Sequence, residues 1–249
     1  MIAAAASVGA CVSASPPQPF ALRYADGEVA DQQRELAERL AEAFVSVVIL
    51  ANVEADGEIS SGVVSGASGT IVDPCGFVVT AAHIARSTTF GARVTTLDGV
   101  ARTAEIVDVA PGRELALLRI EPFAGMVVAS PMQIARVSSA VLSIGAPNNR
   151  PGTVTFGNVV DPQRAIRIQY GDYGFDDAIV LRMDVAPGHS GGPVFDNRGR
   201  LIGMIASFGL GDTRRAPYVP TGIAYAVPAS AIARYLDELV PQPSAATRR

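Results

Sequence analysis

The sequence predicts an all-β globular protein. Its composition is that of a folded domain, since 49% of the residues are hydrophobic and 18% are charged. Turn-forming residues are abundant, with 24 glycines and 17 prolines, and Trp is absent. Short runs of β-branched and apolar residues alternate with these turn signals along most of the chain. A length of 249 residues suits one domain with short extensions.

The charge of the chain is mildly acidic, with a net charge of -4 and a pI near 5.2. Proteins that bind nucleic acids usually present a basic surface to the phosphates. The composition therefore argues against a nucleic-acid partner.

The first 19 residues are predicted to lie outside the fold. Residues 2–12 form an apolar run too short to cross a bilayer, and small residues at 12–14 offer a cleavage site, so we predict an export signal. Residues 8–11 also resemble a bacterial lipobox, in which Cys11 would become a lipid anchor. No Lys or Arg precedes the apolar run, which leaves a disordered tail as the alternative.

The next segments predict a helix followed by strands. Apolar residues recur at helical spacing in residues 31–43, which predicts a short amphipathic helix. The β-branched run at 44–51 predicts the first buried strand. Asp98-Gly99 separates the apolar runs 94–97 and 100–107, and this pattern predicts a β-hairpin.

A second set of strands begins near Val137. Further along, the turn signal at 196–199 predicts another hairpin, and residues 231–240 predict a closing helix before a polar tail. The predicted strands of this half are residues 140–147, 153–160, 165–170, 178–183, 201–207 and 222–228.

Ser190 is the candidate nucleophile. It lies in Gly-His-Ser-Gly-Gly-Pro at residues 188–193, where small neighbours would leave its hydroxyl exposed on a tight turn. A glycine before the serine would also let the N–H groups of Gly188 and Ser190 converge on one point, as an oxyanion hole requires. A serine hydroxyl is a poor nucleophile at neutral pH, so the prediction also needs a base and an acid that orients the base.

His83 is the candidate base, because the chain has two histidines and the other, His189, belongs to the serine motif. The run Val-Val-Thr-Ala-Ala-His at residues 78–83 reads as a buried strand that ends in small residues at His83.

These motifs resemble those of the trypsin-like (chymotrypsin-fold) serine proteases, most closely the bacterial HtrA or Deg type. In that family the base follows a strand as Thr-Ala-Ala-His, and the nucleophile lies in Gly-(Asn/Asp)-Ser-Gly-Gly-Pro. The resemblance extends over residues 45–232. It implies two six-stranded antiparallel β-barrels, about residues 44–125 and 137–228, in a protease domain at 20–240 with short N- and C-terminal helices. We expect no PDZ domain, because only the polar tail 241–249 follows.

The acid of the triad departs from the family pattern. The family has Asp at the head of an Asp-Leu-Ala-Leu-Leu segment, and this chain has Glu114 there, 31 residues after His83. Glutamate keeps the charge that fixes the imidazole tautomer. Its extra methylene adds roughly 1.5 Å of reach, which the backbone or the rotamer has to absorb. Asp108 is an alternative acid.

The resemblance also implies where a substrate would bind. An aspartate six residues before the nucleophile pairs with Lys or Arg of the substrate in digestive trypsin-like enzymes, whereas the wall formed by residues 205–208 suits a small or medium apolar side chain equally well. The predicted substrate-binding residues are Asp184, Ile205, Ala206, Ser207 and Phe208.

His189 and the two cysteines are given structural roles. His189 occupies the family's Asn or Asp position, and we predict a loop hydrogen-bonding group there, because no ligand cluster surrounds it in sequence. Cys11 and Cys75 could form a disulfide in an oxidising compartment, but cleavage or lipidation at Cys11 would remove that pairing. A single thiol at Cys75 is predicted to be a small packing residue on a turn.

The resemblance implies a serine endopeptidase that cleaves exported or misfolded proteins in the bacterial periplasm or cell envelope. Its triad would be Ser190, His83 and Glu114, with no metal or nucleotide cofactor and polypeptides as partners. The alternative is a catalytically weak or inactive homologue that binds peptides or proteins, which Glu114 and His189 favour. The oligomeric state is unknown from the sequence.

Overall fold

A computed structural model describes residues 17–25, 27–55, 58–85, 89–129, 136–162, 167–210 and 220–240. The predicted export signal, lipid anchor and disulfide all involve residues 1–16, and the polar tail begins at residue 241. These four predictions lie outside the described residues.

The N-terminal segment contacts both barrels before the first helix begins. The N–H of Phe20 donates to the Leu97 carbonyl in the first barrel at 2.8 Å. The short strand β1 (Arg23–Tyr24) then runs parallel to a strand of the second barrel. The helix α1 (Asp31–Ala41) follows and buries Ala37 and Ala41. The predicted helix is thus confirmed, and it ends two residues early.

The first barrel is closed and consists of six antiparallel strands. Around the barrel each strand pairs with the next, in the order β2-β3-β4-β7-β6-β5, and β5 pairs back with β2. The strands are β2 (Phe44–Ala55), β3 (Glu58–Ile71), β4 (Phe77–Thr80), β5 (Thr89–Thr96), β6 (Ala101–Ala110) and β7 (Leu115–Arg119).

The second barrel also has six antiparallel strands, in the order β9-β12-β15-β14-β13-β8, and it closes because β8 pairs with β9. Its strands are β8 (Ala140–Gly145), β9 (Thr153–Asp161), β12 (Ile179–Met183), β13 (Pro193–Asp196), β14 (Leu201–Leu210) and β15 (Pro220–Pro228). Between β9 and β12 the chain forms a separate hairpin of β10 (Ile168–Tyr170) and β11 (Tyr173–Phe175). The helix α2 (Ala229–Leu239) ends the described chain.

Both barrels have apolar interiors. Leu115, Leu117 and Leu118 of β7 are fully buried. Gly69 of β3 lets the backbone pass close to Val45, Val47 and Val78, whose methyl groups would lie about 3 Å from any added Cβ. The prediction of two six-stranded antiparallel barrels with terminal helices is therefore confirmed.

The predicted packing role of Cys75 is wrong, although the residue does lie on a turn. Cys75 is exposed in the turn between β3 and β4, where its N–H donates to the Asp73 carboxylate at 2.7 Å. The turn forms through this backbone contact, so the thiol does not need to pack.

None of the helices in the described part of the chain combines the length and the hydropathy that a membrane span requires.

Candidate active site

His83 lies in a 3-10 turn directly after β4. Ala81 and Ala82 are buried, and they fix the turn Ala82–Ile84 against the first barrel. The Nδ1 atom of His83 donates a hydrogen bond to Glu114 Oε1. The His83 side chain is 26% exposed and the Glu114 side chain is fully buried, so one edge of the ring remains open to a substrate.

Glu114 lies directly before β7. It follows the 3-10 turn Pro111–Arg113, and its backbone is left-handed with φ 56° and ψ 32°, which is uncommon for a residue with a Cβ. Its carbonyl accepts a hydrogen bond from the Ala82 N–H at 3.4 Å. Backbone and side chain of Glu114 therefore both contact the turn that carries His83.

Asp108, the alternative acid, has a different partner. Its carboxylate accepts a 2.6 Å hydrogen bond from the hydroxyl of Tyr235 on α2. Burial raises the pKa of Tyr235, and the hydrogen bond to Asp108 raises it further. The register of β6 thus turns Asp108 toward α2, and the alternative of Asp108 as the partner of His83 is wrong.

The turn that carries Ser190 depends on two glycines with positive φ. Gly188 has φ 103° and Gly191 has φ 87°. A Cβ on Gly188 would lie 2.3 Å from the Ala146 carbonyl oxygen, and a Cβ on Gly191 would lie 1.9 Å from the Ser68 carbonyl oxygen. The backbone of the turn is thus packed too tightly for any other residue at these two positions.

Ser68 of the first barrel holds this turn by two hydrogen bonds. Its N–H donates to the Ser190 carbonyl at 2.9 Å, and its hydroxyl donates to the Gly188 carbonyl at 2.7 Å. The same hydroxyl accepts from the Ala146 N–H at 2.9 Å. These contacts bring Ser190 beside the strand that leads to His83, since Thr80 at the end of β4 donates to the Ser68 carbonyl.

The N–H groups of Gly188 and Ser190 were predicted to form an oxyanion hole. Within the described part of the chain, neither N–H donates a hydrogen bond to another group. Both N–H groups are therefore free to donate hydrogen bonds to an anionic oxygen. Over the same residues, no hydrogen bond joins the Ser190 hydroxyl to His83.

His189 is a buried member of the same turn, with 2% exposure. Its Nδ1 accepts a hydrogen bond from the Ala186 N–H at 3.2 Å, and its Nε2 lies 3.4 Å from the Thr155 hydroxyl. The proton must therefore be on Nε2. Burial lowers the pKa of His189 to about 4, so the ring is neutral near pH 7. The predicted loop hydrogen bond is present.

Two tyrosines near His83 were missed by the sequence analysis. The rings of Tyr170 and Tyr173 make edge contacts with the His83 ring at centroid distances of 5.8 Å and 6.2 Å. The Tyr170 hydroxyl lies 3.4 Å from His83 Nδ1. The available signal was the sequence Tyr-Gly-Asp-Tyr, a two-residue turn between aromatic residues, but its position relative to His83 depends on the packing of the two barrels.

The predicted substrate-binding residues differ in accessibility. Asp184 is exposed directly after β12, and its Oδ1 atom faces Gly222 of β15. Ile205 and Ala206 of β14 are each 1% exposed, because their side chains belong to the core. Ser207 and Phe208 are half-buried. The N–H and the carbonyl of Ile205 are hydrogen-bonded to Gly192 and Gly191 of the turn that carries Ser190. A ligand beside β14 would therefore meet the side chains of Ser207 and Phe208.

Comparisons with known proteins agree with the fold. A family model described as a trypsin-like peptidase domain matches residues 67–204. A probable periplasmic serine endoprotease, DegP-like, of Brucella suis biovar 1 (strain 1330) is 31% identical over 187 residues, covering 71% of this chain and 33% of that protein. The serine protease HTRA1B of Danio rerio is 29% identical over 245 residues, covering 92% of this chain and 45% of that protein.

A solved structure, the HtrA-type protease AlgW with tripeptide, superposes with a TM-score of 0.70 at 23% identity, and the match covers 83% of this chain and 63% of that one. This likeness shows the fold. The chain spans between one third and one half of the length of the curated relatives named above. The family model, in contrast, matches more than half of this chain and includes both the His83 turn and the Ser190 turn. The chain therefore belongs to the trypsin-like peptidase family.

Proposed function

We propose that this chain is a serine endopeptidase that uses Ser190, His83 and Glu114. The observation that carries the proposal is the hydrogen bond between His83 and the buried carboxylate of Glu114. Ser68 also holds the turn of the half-buried Ser190 next to the strand that leads to His83. A carboxylate on Nδ1 leaves the Nε2 atom of His83 unprotonated, which is the tautomer that a general base needs.

In the proposed reaction Ser190 attacks the peptide carbonyl while His83 takes the proton from its hydroxyl. Glu114 stabilises the imidazolium that forms and holds the ring in place. The free N–H groups of Gly188 and Ser190 bind the oxyanion of the tetrahedral intermediate. His83 then returns the proton to the leaving amine, and water hydrolyses the acyl-enzyme through the same steps.

The proposed substrates are polypeptides of exported or misfolded proteins, in the bacterial periplasm or cell envelope. The Brucella suis relative is named as a probable periplasmic serine endoprotease, and the AlgW structure contains a tripeptide. Asp184, Ser207 and Phe208 are accessible in this chain, and we propose that they contact the substrate residue before the cleaved bond. Export and a lipid on Cys11 are part of the proposal.

The first test is labelling of residues 17–249 with a fluorophosphonate probe, which reacts only with an activated serine. Labelling of the parent protein, and none of Ser190→Ala or His83→Ala, is the expected result. A folded parent that stays unlabelled would overturn the proposal. The cleft would then be assigned to peptide binding without catalysis, which is the second function that the sequence allows.

A second test addresses the substrate preference, with peptides that carry either Arg or Val before the cleaved bond. If Asp184 pairs with a basic side chain, Asp184→Ser loses cleavage after Arg and keeps cleavage after Val. Equal cleavage by the parent and by Asp184→Ser at both peptides would remove Asp184 from the substrate site and leave Ser207 and Phe208.

A further inference from the structure

The carboxylate of Glu114 has an incomplete set of partners. The side chain is fully buried, and its Oε1 atom accepts a hydrogen bond from His83. Its Oε2 atom has no hydrogen-bond partner among the described residues. A buried carboxylate is costly unless nearby donors replace the lost water, so the surroundings of Glu114 should contain a further donor.

The Tyr170 hydroxyl is in the right place to be that donor. Its oxygen lies 3.4 Å from His83 Nδ1. That nitrogen already directs its proton to Glu114 and has no free lone pair, so it cannot accept a hydrogen bond from Tyr170. The remaining acceptor beside the hydroxyl is the Glu114 carboxylate.

The direction of the Tyr170 pKa shift agrees with this assignment. Burial raises the pKa of the Tyr170 phenol, and the negative charge of the nearby Glu114 carboxylate raises it further. Each of these effects favours the protonated phenol, which is the form that can donate.

The hairpin that carries Tyr170 is well fixed. Tyr170 pairs with Tyr173 across the turn, and their rings stack at 6.3 Å. Arg167 and Asp176 form a 2.8 Å ion pair at the base of the hairpin. The strand β11 also packs against the 3-10 turn Pro111–Arg113, which leads directly into Glu114. The second barrel therefore holds the hydroxyl in a defined position relative to an acid of the first barrel.

We propose that Tyr170 is a positioning residue whose hydroxyl donates to the Glu114 carboxylate and holds that acid in the orientation that fixes the His83 ring. The role rests on the proposed function, because it matters for the reaction only if His83 and Glu114 act on Ser190. Tyr170 itself does not need to touch the substrate.

The test compares Tyr170→Phe with the matched control Tyr173→Phe. Both changes remove one hydroxyl from the same hairpin and keep the ring that contacts His83, but only Tyr170 has its hydroxyl at the His83–Glu114 pair. We expect Tyr170→Phe to lower the rate constant of fluorophosphonate labelling roughly tenfold, the size expected for a hydrogen bond to a charged group. Tyr173→Phe should stay within about twofold of the parent.

A second background shows whether Tyr170 acts through Glu114. In Glu114→Asp the side chain is shorter by roughly one methylene, so the carboxylate moves away from the Tyr170 hydroxyl. Tyr170→Phe should then change the labelling rate less than about twofold in that background, because coupled residues are not additive. A tenfold loss in both backgrounds would mean that the hydroxyl acts elsewhere, and it would overturn the proposal.

A spectroscopic measurement separates this proposal from the proposed function. The His83 proton shared with Glu114 should give a low-field proton NMR resonance. The chain has two histidines, so a low-field resonance that remains in His189→Asn belongs to His83. The resonance should move in Tyr170→Phe and stay in place in Tyr173→Phe, whether or not Ser190 reacts. An unlabelled parent would overturn the proposed function alone, whereas an unmoved resonance would overturn the role of Tyr170.

Discussion

Ser68 and Gly188 belong to different barrels and are 120 residues apart, yet the Ser68 hydroxyl donates a 2.7 Å hydrogen bond to the Gly188 carbonyl. The same hydroxyl accepts from the Ala146 N–H. One side chain of the first barrel therefore joins the turn that carries the proposed nucleophile to the segment that follows β8.

Ser68→Ala should lower both stability and reactivity. It leaves the Gly188 carbonyl and the Ala146 N–H without their partner, which costs about 1–2 kcal/mol in the free energy of unfolding. We expect the rate of fluorophosphonate labelling to fall roughly tenfold as the turn loosens. Ser143 offers a matched control, because its buried hydroxyl has no hydrogen-bond partner in the described part of the chain. Ser143→Ala should be neutral or stabilising in chemical denaturation, and equal losses in the two variants would contradict this role of Ser68.

Glu114→Asp is expected to reduce activity, although aspartate is the usual residue of the family. The left-handed backbone at Glu114 and the surrounding turn are built around the longer side chain. Retracting the carboxylate by roughly 1.5 Å separates it from His83, and a misplacement of this size costs on the order of a hundredfold in labelling rate. Asp108→Asn is the control, because Asp108 contacts Tyr235, and its labelling rate should equal that of the parent. Faster labelling of Glu114→Asp would show instead that the glutamate restrains the site.

Gly188→Ala should remove labelling without unfolding the protein. The backbone there has φ 103°, and a Cβ would lie 2.3 Å from the Ala146 carbonyl oxygen, so the turn must shift. That shift moves the N–H of Gly188 away from the proposed oxyanion position. Gly112→Ala is the matched control, since a Cβ at Gly112 would meet no atom within 4 Å of it among the described residues. Circular dichroism would verify the fold of both variants, and normal labelling of Gly188→Ala would exclude that N–H from catalysis.

Because His189 is buried and neutral, we expect the free energy of unfolding to fall in mild acid. Burial lowers its pKa to about 4, from about 6.5 in an unfolded chain. The unfolded state therefore takes up a proton that the folded state excludes, so the stability from neutral His189 is complete above pH 6.5. It is lost progressively as the pH falls from 6.5 to 4, by roughly 3 kcal/mol in total.

The measurement is chemical denaturation at several pH values between 7.5 and 4, on the parent and on His189→Asn. Carboxylates contribute to the acid sensitivity of both proteins, so the difference between their slopes isolates the histidine. The variant should lose less stability on acidification than the parent. Parallel slopes would mean that His189 is already accessible to protons in the folded state.

Much of the site was predictable because its residue types follow from local chemistry. A nucleophile turn needs glycines with positive φ, and Gly188 and Gly191 have that conformation. The strand before His83 is buried as its apolar run predicted. The left-handed backbone of Glu114 was not predictable, because it depends on how the 3-10 turn Pro111–Arg113 leads into β7.

The sequence by itself predicted strands from β-branched runs and turn residues, because these signals act over a few neighbouring residues. Its short motifs, through their resemblance to the trypsin-like proteases, predicted the two barrels and the candidates His83, Glu114 and Ser190. Only the tertiary structure decided which groups support these residues. Ser68 fixes the Ser190 turn and Tyr170 lies at the His83–Glu114 pair across the boundary between the barrels. Such contacts join residues about 90 to 120 positions apart, and they depend on barrel packing, which no local pattern encodes.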